Sequence, residues 1–141
     1  MRSTYRVFAC LVAAGVLAQA ASVAYAWFAV LQTIDAGGVF DKDAGANPGH
    51  YAHGIIGMAL IPLIALTLLI LSFFARIPGG VRWAAITFGL TALQVALAFV
   101  SFSAPLVGAL HGLNAVALLA AALVAARRVR RAVEPVLPRP A

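Results

Sequence analysis

Long apolar runs separated by short polar breaks dominate this chain. Four runs stand out: Val7 to Leu31, Gly54 to Phe74, Trp83 to Phe102 and Leu106 to Ala126. A bilayer core of about 30 Å is crossed by roughly 20 helical residues at 1.5 Å each, so every run is long enough to span. The breaks are a polar loop (Gln32 to Gly49), a basic turn (Ala75 to Arg82) and a very short turn around Ser103-Ala104-Pro105. The last two are too short for anything but antiparallel neighbours. Backbone groups in lipid must be bonded within the protein, which leaves helices or a closed barrel, and runs of this length are helices. The pattern predicts an all-α membrane protein, an up-down four-helix transmembrane bundle over residues 1–131, with helices at about 7–31, 50–75, 82–102 and 105–128. Residues 132–141 are proline-rich and aperiodic, and are expected to form a disordered tail.

Composition agrees with a bilayer and removes one other class. The 141 residues are 64% hydrophobic and only 10% charged, with a mean hydropathy of +1.01. Too few charged groups remain to clothe a water-facing surface, where roughly 25% is usual. A net charge of +6 would suit nucleic acid, but the arginines flank the apolar runs and lie on no polar domain. Their placement orients the chain. Arg2 and Arg6 precede the first run, Arg76 and Arg82 lie between the second and third, and Arg127, Arg128, Arg130 and Arg131 follow the fourth. Lys42 is the one basic residue on the other side, beside Asp35, Asp41 and Asp43. The positive-inside rule then puts both termini in the cytoplasm of a multi-pass protein of a bacterial-type inner membrane. Ala24-Tyr25-Ala26 resembles a signal-peptide cleavage site, but the apolar run continues to Leu31, so a retained span is expected. Cys10, the lone cysteine, reads as a small apolar-face residue.

The candidate chemistry lies at the outer end. His53 sits about one turn into the second span and His111 between one and two turns past Pro105. The surroundings repeat: Ala52-His53-Gly54-Ile55-Ile56-Gly57-Met58-Ala59-Leu60 aligns with Leu110-His111-Gly112-Leu113-Asn114-Ala115-Val116-Ala117-Leu118. Spans two and four run in the same direction and can lie diagonally across a bundle. Two imidazoles at one depth can then ligate one metal from both sides, and bundle cores are common cofactor sites. Ionisable groups in membrane helices are costly and mark function. Gly54, Gly57, Gly108 and Gly112 would make room for a flat porphyrin, although small residues also serve plain helix packing. Asn114, a turn below His111, is placed to orient it or cap a cofactor edge. His50 reads as a boundary residue before it reads as a metal ligand. Gln19 and Gln94, near mid-helix, read as hydrogen-bonding glue across the core or to one another. Tyr25, Trp27 and Tyr51 suit an interfacial aromatic belt.

Four helices with a histidine near the outer end of helices two and four resemble one half of the haem A synthase family. The chain is also similar to small bacterial four-helix membrane proteins with an H-x-x-x-G and L-H-x-x-N signature, here His53 to Gly57 and Leu110 to Asn114. The resemblance spans Val7 to Ala126 and implies a b-type haem with His53 and His111 as axial ligands. It departs where the catalytic half of those enzymes carries a glutamate three residues before the helix-two histidine; here that residue is His50. Haem-methyl oxidation is therefore not carried over. The leading expectation is a small membrane cytochrome b that passes single electrons to a redox partner or a larger respiratory complex. The alternatives are a non-catalytic membrane subunit or assembly factor without its own cofactor, and a copper or zinc site from His50, His53 and His111 with Asp41 or Asp43. Quinone binding and transport trail these.

Overall fold

A computed structural model describes residues 1–131, with side chains to Val129; the tail expected to be disordered lies outside the described residues. The elements are α1 (Arg2–Asp35), α2 (Pro48–Ile55), a π-helical turn (Ile56–Leu60), α3 (Ile61–Ala75), α4 (Gly80–Ser103) and α5 (Val107–Arg131). The second span runs through α2, the π turn and α3, so among the described residues four helices are long and apolar enough to cross a membrane. The four-helix membrane bundle expected from the apolar pattern is what forms.

Helix ends extend beyond the apolar runs for identifiable reasons. The second span begins at Pro48 because Asn47 caps it: its side-chain oxygen accepts from the Gly49 and His50 backbone N–H groups, and Pro48 occupies the first turn, where its missing N–H costs nothing. Asn47 also donates to the Ala26 carbonyl, pinning this helix start to α1. There α1 and α2 cross closely. A Cβ on Gly49 would lie 2.6 Å from the Ser22 carbonyl oxygen, so only glycine fits. At the opposite end Arg76 adopts a left-handed conformation (φ 50°) that stops α3, and Gly79 (φ 71°) starts α4. The π turn stands immediately before Pro62. A proline cannot donate to the preceding turn and clashes with its carbonyls, and the widened turn accommodates it.

Around the bundle, α1 packs on α3 and α5, and α4 packs on α3 and α5. Spans two and four are therefore diagonal, as are spans one and three. The close packing is concentrated in the arginine-bearing half. Two buried clusters fill it, one around Tyr5, Leu68, Ala84 and Ala125 and one around Val12, Ile61, Leu118 and Ala122. Alanines let the backbones approach, which is how helices gain dispersion energy in lipid where no hydrophobic term separates protein from solvent. The buried Tyr5 hydroxyl donates to the Gly80 carbonyl at 2.9 Å, tying α1 to the start of α4. Arg2 donates to the Arg76 carbonyl and Arg128 lies over the Trp83 ring at 5.8 Å, so the basic residues of three chain segments meet at one end. In the other half α2 packs on α1, and a cleft opens between the two hairpins. Tyr25, Trp27 and Tyr51 are exposed, as a lipid-interface belt requires.

A cysteine at Ala46, in a Cys10→Ser background, tests the orientation. The positive-inside rule leads one to expect the arginine-rich end inside. An impermeant maleimide should therefore label the loop in intact cells, and labelling only after lysis would reverse the topology.

Candidate functional site

Lipid offers no water to a buried polar group, so each must be bonded inside the protein. The two hairpins meet this demand in the same way. In the first, the Gln19 side-chain Nε2 of α1 donates to the His53 carbonyl at 2.9 Å, and His53 Nδ1 lies 3.2 Å from the Gln19 carbonyl. In the second, Gln94 Nε2 of α4 donates to the His111 carbonyl at 3.0 Å, and His111 Nδ1 lies 3.1 Å from the Gln94 carbonyl. Each pair is a reciprocal clamp between the two helices of one hairpin. Carbonyl oxygens only accept, so Nδ1 carries the proton in each ring and Nε2 is left with a bare lone pair.

Both rings line the cleft, with centroids 6.4 Å apart and planes tilted by 57°. A metal–nitrogen bond of about 2 Å, with about 1.1 Å from nitrogen to ring centre, puts two imidazoles bound trans to one ion about 6.3 Å apart. Rings sharing such an axis can be turned about it freely, so the tilt is compatible. The second ring nitrogen of a metal-binding histidine usually donates to a carbonyl or carboxylate, which is the arrangement at both positions.

The cleft has a volume of about 490 Å³. Its walls run inward as far as Ile61 and Leu119, each eight residues beyond its histidine, and outward as far as Phe102, eight residues beyond Gln94. At 1.5 Å per residue it extends about 10–12 Å to either side of the ring pair. Apart from the clamps and Thr91 the lining is apolar. A flat apolar plate standing along the membrane normal matches this space. Gly54 and Gly112, which directly follow the two histidines, line it, and a Cβ on either would meet nothing within 4 Å. The residues present fit a haem held by His53 and His111.

Gly57 also lines the cleft, and a Cβ there would come within 2.9 Å of Gln19 Nε2, so its smallness also admits the clamp. Gly108 is not part of the cleft wall; it faces Ser101 across the α4–α5 contact at 3.8 Å. Asn114, buried, donates to the Leu90 carbonyl and to Gln94 Oε1, so it orients His111 through Gln94 and does not cap a cofactor edge. Gln19 and Gln94 do not bond to one another. Their signal in the sequence was one glutamine per hairpin at the depth of its histidine. His50 lies outside the cleft wall with its ring 6.3 Å from that of Phe40. Among the described residues no group of three or more His, Cys, Asp or Glu could hold a metal ion, so the copper or zinc set of His50, His53, His111 and Asp41 or Asp43 does not assemble.

Residues 38–104, just under half of the chain, match a family model described as a family of unknown function (DUF6220). The match takes in His53 and Gln94 but stops short of Gln19 and His111 on either side. No curated protein and no solved structure matches the chain.

Gly57→Ala should displace the Gln19 amide and break the first clamp. A destabilisation of about 1–3 kcal/mol is expected, the usual cost of overpacking and of an unmade buried hydrogen bond. Thermal unfolding of the cofactor-free protein in detergent measures it. A Tm equal to wild type would mean that the clamp carries no stability.

Proposed function

We propose that the chain is a small membrane cytochrome b, holding one bis-histidine haem b in the outer half of the bilayer and passing single electrons. The observation that carries this reading is the pair of imidazoles 6.4 Å apart across an apolar cleft, each with Nδ1 committed to a carbonyl. A haem ligated on both faces supplies a one-electron couple with no vacant position in its resting form. The chain's own part is to hold Nε2 deprotonated, keep two ligands at fixed separation and exclude water from the plate. Gln19 and Gln94 do the first two. Aliphatic and aromatic side chains on all four spans do the third.

The setting follows from the same reading. The protein lies in a bacterial-type inner membrane with both termini cytoplasmic, the cleft nearer the outer face. Its redox partner is a protein or a larger respiratory complex approached from that side, and nucleic acid has no part. The resemblance to one half of the haem A synthase family points the same way, and the histidine at position 50, where those enzymes' catalytic half has a glutamate, favours cofactor holding over catalysis.

Protein expressed with ample haem and purified in detergent should show a Soret band and, on dithionite reduction, the sharp bands of low-spin haem b. His50→Ala should leave that spectrum unchanged. A strongly shifted spectrum would make His50 part of the site. A wild-type preparation with no Soret band would sink the cytochrome reading in favour of a cofactor-free membrane subunit.

A further inference from the structure

The two clamps share a design but not a strength, and three differences point the same way. Gln94 is fully engaged: its Nε2 donates to the His111 carbonyl and its Oε1 accepts from Asn114, itself held by the Leu90 carbonyl. Gln19 Oε1 is buried with no partner, because Ile56 stands where the repeat places Asn114 in the second hairpin. The Gln19 carbonyl is also shared. It accepts from Ser22 Oγ at 3.0 Å as well as facing His53 Nδ1, whereas at the matching point of α4 the residue is Leu97. Finally, His53 stands in an eight-residue helix that runs straight into the π turn, while His111 stands in an unbroken helix of 25 residues.

Hydrogen bonding at Nδ1 and behind it fixes a ligand's orientation and raises its basicity, and partners that bond to a ligand in this way are worth roughly 10–100-fold in metal affinity. A carbonyl shared between two donors gives less to each. A π turn is rare and frequently lies at a functional site.

Building on the haem reading, we propose that His111 is the fixed axial ligand and His53 the one that yields, so that a small neutral diatomic molecule enters on the His53 side of the reduced protein. Asn114 and Gln94 are the positioning residues that make the difference.

The test uses haem-loaded full-length protein with carbon monoxide as the probe. His53→Gly should retain haem and bind carbon monoxide at once, and His111→Gly should lose most of its haem. Ile56→Asn, which supplies the missing carboxamide behind Gln19, should slow carbon monoxide uptake by the otherwise intact protein about tenfold, the scale of one hydrogen-bond partner behind a ligand. Asn114→Leu should speed it. A haem-independent measurement accompanies these: in histidine-labelled, cofactor-free protein the His111 Nδ1 proton should exchange with solvent more slowly than that of His53. Equal haem retention in the two glycine variants, or the reverse order, overturns the inequality while leaving the haem reading intact. A wild-type protein without a Soret band removes the haem reading and the gas site with it, and equal proton exchange would then remove the unequal clamps too.

Discussion

Everything at the outer end depends on the exchange of hydrogen bonds between a glutamine and a histidine. An imidazole in lipid has two polar nitrogens, and it stands beside its own backbone carbonyl, which the glutamine of the facing helix can reach. Without a partner each of these costs several kcal/mol, on the order of the whole stability of a small domain. One carboxamide settles two of the three demands at once, donating to the carbonyl while its own backbone accepts from Nδ1. The remaining nitrogen is left bare by elimination. A structural need, satisfying polar groups where water is absent, thus produces a lone pair aimed at nothing in the protein. Two such rings stand 6.4 Å apart across the cleft, which is the feature on which the haem proposal rests.

The bundle was legible in the sequence because bilayer thickness imposes a run length and leaves no other backbone solution. Val7 to Leu31 and its three counterparts could be little else. Helix ends were less so, since they are set by single residues: Asn47 reaching back to Gly49 and His50, or Arg76 turning left-handed, leave no trace in an average of hydropathy. The histidine pair was visible as a repeat at matched depth. The parts of Gly57 and Asn114 were not, because both answer to a third residue. Gly57 is small partly for the sake of Gln19, and Asn114 serves Gln94. Such second-order dependence has no periodicity. It shows only when the helices are set at their actual azimuths.

The division of the bundle into a packed half and an open half has a mechanical meaning. Each hairpin is stiffened by its own clamp, and the hairpins meet in the other half through two clusters, one with Leu68, Ala84 and Ala125 and one with Ala65, Leu118 and Ala122. That meeting place is a fulcrum, and the histidines ride at the ends of the arms. A change of a few tenths of an ångström in alanine packing at the fulcrum becomes a larger change in the gap between the imidazoles. The tight, small-residue core thereby acts as a gauge that sets the ring separation from a distance, and its tolerance is the tolerance of the site.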